Sequence, residues 1–195
     1  MVLLTLLSIV QALAIELLWS QVRESAYLFD MTWTALLTWF QVATSFVGIV
    51  LIWVVYASTA MRFRWVPNTS DSIYPFIIGV FEFALVEMHS PEFLGWWFIC
   101  IAMIFALMTW VGHNKMRRAR QDGENDDFFA KLAPATRRDF YPAYIVFGAL
   151  MLTGIYLTVS GDRGILALIA VVTAAAFLVW QLFVATRFWE MSMAD

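Results

Sequence analysis

Two titratable side chains, Glu82 and His89, lie seven residues apart in a strongly apolar part of the sequence. In an α-helix this spacing places both side chains on one face, within about 20° of each other. Glu87 would diverge from Glu82 by about 140°, and Glu16 is another carboxylate within an apolar run. Intramembrane carboxylates are costly and often mark ion or proton pathways. We therefore take Glu82, Glu16, Glu87 and His89 as candidates for proton relay or cation transport.

A stripe of polar and small residues precedes them. Its members are Thr34, Thr38, Gln41, Ser45 and Gly48, spaced by four, three, four and three. Such spacing keeps the residues on one helix face, as in the seam between packed helices. Counted from the helix ends, Gln41 lies near the depth of Glu82, so we add Gln41 to the relay and transport candidates. Thr38, Gln41 and Ser45 are expected to be able to hydrogen-bond a neutral Glu82, with Gln41 at the matching depth. With Thr153 and Thr173 from later helices, these positions predict a polar cavity in the outer half of the protein.

The same residues have a structural interpretation. Buried glutamates and a threonine–glutamine stripe can hold membrane helices together through interhelical hydrogen bonds. A protonated Glu82 bonded to Gln41 would then have no role beyond packing. Glu87 could reach water at the helix end, and His89 could be an incidental residue of a turn.

The elements that position these groups are membrane-spanning helices. Of 195 residues, 62% are hydrophobic and only 14% are charged, which excludes an ordinary water-soluble domain. A spanning helix needs about 20 mainly apolar residues. Six segments are predicted to span, at about 2–22, 32–60, 73–89, 93–113, 140–159 and 164–187. Ser90-Pro91-Glu92 and Asp162-Arg163-Gly164 predict short turns between consecutive spans.

The basic residues indicate the orientation. Of the 12 lysines and arginines, only Arg23 and Arg163 fall on one side of a six-span arrangement, and the other ten fall on the opposite side. Because positive charges concentrate in cytoplasmic loops, both termini are expected in the cytoplasm. The expected location is the cytoplasmic (inner) membrane of a bacterium.

The segment 114–139 is the one sizeable region expected outside the spans. It begins with basic residues, including Arg117 and Arg118, and its Phe128 and Phe129 lie on one face of a predicted short helix. This composition is typical of an anchor on the inner membrane surface. The alternative is a docking element for a partner protein. The basic run is too short to favour nucleic-acid binding.

The sequence gives little support for catalysis or for metal or cofactor binding. The sequence has one cysteine, Cys100, and two histidines, and it lacks phosphate-binding, hydrolase and zinc-binding motifs. We therefore predict no catalytic residue, no metal and no cofactor. Ala167, Ala170 and Ala174 line one side of the last span, where small residues permit a close helix contact. That contact is expected either within the chain or in a homo-oligomer.

The sequence thus predicts an all-α integral membrane protein, a bundle of six transmembrane helices forming a single domain in the lipid bilayer. The favoured function is a channel, transporter or sensor subunit for a proton, cation or small solute. The first alternative is an accessory or assembly subunit of a larger membrane complex. A weaker alternative is a membrane enzyme that acts on a lipid or quinone.

Overall fold

A computed structural model describes residues 2–64, 69–130 and 133–193. In these ranges the chain is all-helical, without a β-strand, which confirms the predicted class. Its α-helices are α1 (Val2–Glu24), α2 (Trp33–Arg62), α3 (Thr69–Glu87), α4 (Leu94–Ala119), α5 (Asp126–Ala130), α6 (Tyr141–Ser160) and α7 (Ile165–Met193). Short 3-10 helices lie at Ala26–Phe29, Pro91–Phe93, Gly123–Asn125 and Arg137–Phe140.

Among the described residues, five helical stretches are long and apolar enough to cross a membrane. They are Leu4–Glu24, Trp33–Arg62, Pro91–Ala119, Arg137–Ser160 and Ile165–Glu190. The remaining predicted span, 73–89, corresponds to α3, which has 19 residues and contains Asp71, Glu82 and Glu87. The count of six spans therefore stays a prediction.

Local sequence explains where the helices begin and end. The Thr32 hydroxyl accepts a hydrogen bond from the Ala35 amide at the start of α2, as N-cap residues do. Gly161 ends α6 with a φ of 62°, a left-handed conformation that favours glycine. The next turn is closed by the Gly164 amide, which donates to the Asp162 carboxylate at 2.7 Å. The expected tight turn between the last two long helices is therefore present.

The long helices run back and forth between two ends. The turn end contains residues 25–32, 88–93 and 161–164, and the basic end contains the ends of α2 and α4 together with α5. Helix α2 packs against α1 and α7, α3 packs against α1 and α4, and α6 packs along α4. Gly95 and Gly154 allow the close α4–α6 approach, because a Cβ atom at Gly154 would lie 2.8 Å from the Gly95 carbonyl oxygen.

The small-residue face of α7 is used within the chain. Ala167, Val171 and Ala174 are buried, and α7 packs along α2. Ala170 is only partly buried at the edge of this contact. Since this face is covered by the chain's own helices, a homo-oligomer would use another surface and stays a prediction.

Helix α4 continues beyond its predicted end at residue 113. It extends to Ala119, so the first residues of the predicted 114–139 loop are helical. The predicted short helix is present as α5. Asn125 fixes its start, since its side-chain amide donates to the carbonyl oxygens of Arg64 at 2.7 Å and Ala119 at 2.8 Å. The segment is therefore attached to the ends of α2 and α4.

Candidate functional site

Glu82 lies on the buried face of α3 and has no exposed surface. Both of its carboxylate oxygens accept hydrogen bonds from the side-chain amide nitrogen of Gln11, each at 2.9 Å. Gln11 belongs to α1 and is itself buried. This contact was not predicted from the sequence. The sequence does show that Gln11 shares a helix face with the apolar residues Leu7, Ala14 and Leu18, which form the buried face of α1.

His89 is buried at the turn end of α3. Its Nε2 atom lies 2.8 Å from the Ser45 hydroxyl oxygen, and the Trp97 indole N–H donates to the same oxygen at 3.1 Å. The Tyr27 hydroxyl donates to the His89 carbonyl oxygen at 3.0 Å. Ser45 and Tyr27 therefore hold this histidine directly, Trp97 holds Ser45 in place, and Ser45 connects His89 to the stripe on α2.

The structure corrects the predicted pairing of Glu82 with Gln41. Helices α2 and α3 are held in register by Ser45 with His89 and, further toward the basic end, by the Tyr56 hydroxyl, which donates to the Asp71 carbonyl oxygen at 3.5 Å. Glu82 lies between these two contacts. Gln41 lies outside them, one helical turn beyond Ser45 toward the turn end. Counting depth from the helix ends gave the wrong partner, because the end of α3 is not level with the start of α2. His89, just after α3, lies beside Ser45 in the interior of α2.

Several buried polar atoms near these residues have no hydrogen-bond partner within the described part of the chain. They are both amide atoms of Gln41, the Gln11 side-chain oxygen and the His89 Nδ1 atom. Buried polar groups in native proteins are nearly always hydrogen-bonded, and exceptions often mark sites that bind water, ions or ligands. Gln11, Gln41 and His89 therefore have buried donor and acceptor atoms that their contacts within the described part of the chain do not use.

A cavity of about 410 Å³ begins at the level of Ser45 and Glu82 and runs toward the basic end. Its walls come from α2, α4 and α7, with Glu82 and Leu85 contributed by α3 and Leu150 by α6. Met116 and Phe188 line it near the basic end. This direction differs from the outer-half cavity expected from sequence. Toward the turn end, buried Val86, His89 and Trp97 fill the space instead.

Two other predicted site residues lie on different surfaces. Glu16 is exposed, because it diverges by about 140° from Gln11 on α1. Glu87 is exposed for the same geometrical reason relative to Glu82. Neither carboxylate is close to the Gln11–Glu82 pair, so the predicted lining of one site by Glu16 and Glu82 together is wrong.

The predicted lining threonines are spread over the molecule. Thr34 is exposed, whereas Thr38 is buried and donates to the Thr34 carbonyl oxygen at 3.0 Å. Thr153 and Thr173 line a separate cavity of about 270 Å³ formed by residues of α4, α6 and α7. Of the stripe and threonine positions predicted to form the cavity, Ser45 and Gly48 border the same cavity as Glu82.

The basic end contains a second group of charged residues. The Arg118 guanidinium donates to both carboxylate oxygens of Asp71, at 2.8 and 2.5 Å, and Asp71 is fully buried. The Lys115 ammonium lies 3.1 Å from the centre of the Tyr56 ring. Such bidentate and cation–π contacts hold the ends of α2, α3 and α4 together.

The predicted membrane anchor also has contacts within the protein. Phe129 is buried against Phe63, with ring centres 5.6 Å apart. Phe128 contacts Phe63 at 4.9 Å and Phe188 at 6.0 Å. Arg118 has Asp71 as its partner, while Arg117 is exposed. Contact of this segment with a lipid surface stays a prediction, and Phe129 and Arg118 contribute mainly to packing inside the chain.

No protein-family model, curated protein or solved structure matches this chain.

Proposed function

We propose that this protein is a membrane transporter or sensor subunit that takes up a proton or a cation at Glu82. The supporting observation is the contact between a fully buried carboxyl group and the neutral amide of Gln11. A buried carboxylate requires compensation by a proton, a cation or a metal. Within the described part of the chain, no salt bridge reaches Glu82. A carboxyl group in this position is suited to exchange its compensating ion during function.

The cavity supports access to Glu82 from the basic end. Glu82 borders the space that reaches Met116 and Phe188, while buried Val86 and Trp97 close the opposite direction. Access from that end alone would make Glu82 reachable from one side of the membrane. Passage to the other side would require the layer of Ser45, His89 and Trp97 to rearrange, as in alternating access.

The proposed topology has six spans, with α3 as the third and with both termini in the cytoplasm. At the basic end Asp71 of α3 binds Arg118, and at the turn end Tyr27 binds His89. Helix α3 thus has contacts at both ends of the bundle. The ten-to-two distribution of basic residues then assigns the basic end to the cytoplasm, and we place the protein in the cytoplasmic membrane of a bacterium.

Cysteine labelling tests this topology. In intact cells, a membrane-impermeant maleimide should leave Arg117→Cys unlabelled and react with Asp30→Cys at the turn end. Both positions are exposed on the protein surface, so a difference in labelling reports the side of the membrane and not burial within the protein. Labelling of Arg117→Cys together with protection of Asp30→Cys would reverse the proposed orientation.

Proton or cation flux tests the function. Wild-type protein in liposomes should dissipate an imposed pH or cation gradient, whereas Glu82→Gln should retain the fold and lose this activity. Glu87→Gln is the matched control, because it makes the same change at an exposed position of α3. Wild-type flux in Glu82→Gln would remove Glu82 from the mechanism and leave it a packing role.

A specific observation also favours an accessory subunit as the second candidate. Glu16 is exposed on α1 beside the exposed apolar residues Leu13 and Trp19. A carboxylate on a lipid-facing surface is costly, and a neighbouring chain would cover it. Under this alternative, Glu16→Leu should shorten the list of proteins that co-purify from native membranes, whereas Glu24→Leu at the helix end should not. An unchanged complex in Glu16→Leu would count against this candidate.

A further inference from the structure

Helices α6 and α7 are firmly packed only in the halves nearest the turn end. The buried residues of α6 are Gly154 and Leu157, and those of the described part of α7 are Ala167, Val171 and Ala174. Closer to the basic end, no described side chain of either helix is buried. Helix α6 packs along α4, and α7 packs along α2. The 410 Å³ cavity lies between α4 and α2, the helices against which α6 and α7 pack.

The cavity has a composition suited to an apolar molecule with one positive charge. Most of its lining is aliphatic or aromatic, including Phe105 and Phe177, whose ring centres lie 6.1 Å apart. Met108 adds a flexible, polarisable surface. Among the described lining residues, Glu82 is the one carboxylate, and none is a lysine, arginine or histidine. Cavities of about 300–1,000 Å³ hold compact organic ligands.

We infer that this cavity binds a lipophilic organic cation, with its apolar body between α2, α4 and α7 and its positive charge directed at Glu82. The inference rests on the proposed function and names the substrate class of the same site. Aromatic faces attract cations in desolvated surroundings, and the carboxylate supplies the opposite charge. An anion would meet Glu82 without a basic partner in the described lining. A neutral lipid chain would fill the apolar space without using the carboxylate.

A pair of probes with the same shape and opposite charge isolates the role of Glu82. Tetraphenylphosphonium is a lipophilic cation, and tetraphenylborate is its anionic counterpart. Binding of each to the purified full-length protein is measured by equilibrium dialysis, with protein-free detergent micelles as the blank. We expect saturable binding of the cation and no saturable binding of the anion.

Three variants place the cation in this cavity. Glu82→Gln should weaken tetraphenylphosphonium binding at least about tenfold, whereas Glu87→Gln should stay within about twofold of wild type. Gly112→Leu should also weaken binding at least about tenfold. A Cβ atom at Gly112 meets no other atom within 4 Å, so the larger side chain can enter the cavity without displacing the backbone. Elution as a single species in size-exclusion chromatography establishes that each variant is folded.

Several results would overturn the inference. Equal binding of both probes would indicate an apolar site without charge recognition, as expected for a neutral lipid chain. Unchanged cation binding in folded Glu82→Gln or Gly112→Leu would place the probe elsewhere. The proposed function is judged separately by flux. Glu82-dependent proton flux without tetraphenylphosphonium binding refutes only the substrate class, and Glu82-dependent binding without any Glu82-dependent flux refutes only the transport proposal.

Discussion

The side-chain amide nitrogen of Gln11 lies 2.9 Å from each carboxylate oxygen of Glu82. The two residues are 71 positions apart in sequence, and their contact joins α1 to α3 in the buried interior. One neutral donor thus serves both oxygens of a carboxyl group that has no exposed surface. The contact joins two helices of the bundle, and among the described residues no salt bridge supplies Glu82 with an opposing charge.

Removing this donor should destabilise the protein. Gln11→Leu leaves the Glu82 carboxyl group buried without its partner, and an unmet buried polar group costs about 1–3 kcal/mol. The combined variant Gln11→Leu with Glu82→Leu should recover much of that loss, because both polar partners are absent. Unfolding of the single and double variants in detergent gives the coupling free energy. Additive losses would show that the contact contributes nothing of its own.

The ion pair at the basic end should be more important for stability than neighbouring surface charges. Arg118→Leu leaves the fully buried Asp71 without its guanidinium partner, and breaking a buried pair in this way costs about 3–5 kcal/mol. Arg117→Leu is the adjacent control, since Arg117 is exposed, and it should change the free energy of unfolding by less than about 0.5 kcal/mol. Equal losses for the two variants, measured by thermal unfolding, would be inconsistent with the described pair.

The α4–α6 crossing should tolerate no side chain at Gly154. In Gly154→Ala the new Cβ atom would lie 2.8 Å from the Gly95 carbonyl oxygen, and overpacking of this kind costs about 1–3 kcal/mol. Gly148→Ala, on the same helix, meets no atom within 4 Å and should be neutral or stabilising by up to about 1 kcal/mol. The midpoints of thermal unfolding compare them directly. A Gly154→Ala protein as stable as Gly148→Ala would contradict the close crossing.

The segment at the basic end should detach when its aromatic contact is lost. Phe129 is buried against Phe63 and Ala119, so Phe129→Asp should release the region around α5 and increase its cleavage by protease. Ala130→Asp adds the same charge at an exposed neighbouring position and should leave the cleavage rate near that of wild type. Protection of Phe129→Asp equal to that of Ala130→Asp would mean that other contacts hold the segment.

Sequence alone predicted most of the helical framework. Long apolar runs and turn residues such as Pro91 and Gly164 locate helix ends, because the responsible interactions are local. The seven-residue spacing also identified Glu82, which is buried on α3, and His89, which is buried just beyond the end of α3. Local patterns indicate which face of a helix a residue occupies, and this part of the candidate site followed from them.

The partners of those residues depend on how helices slide against one another. Counting depth from the helix ends paired Glu82 with Gln41, whereas the contact of Ser45 with His89 sets a different register. The register of Gln11 with Leu7, Ala14 and Leu18 places it on the buried face of α1, but nothing in that pattern identifies Glu82 as its partner. The direction of the cavity likewise depends on how α4 and α7 are arranged beside α2, which no spacing within a single helix encodes.

The central claim is that Glu82 takes up a proton or a cation during function, and infrared difference spectroscopy follows the protonation of its carboxyl group most directly. Reconstituted wild-type protein is stepped between acidic and alkaline buffer while the carboxyl C=O band is recorded. The account predicts a band that disappears on the alkaline side in wild type and in Glu87→Gln and that is missing throughout in Glu82→Gln. A difference spectrum of Glu82→Gln identical to that of wild type would contradict the claim.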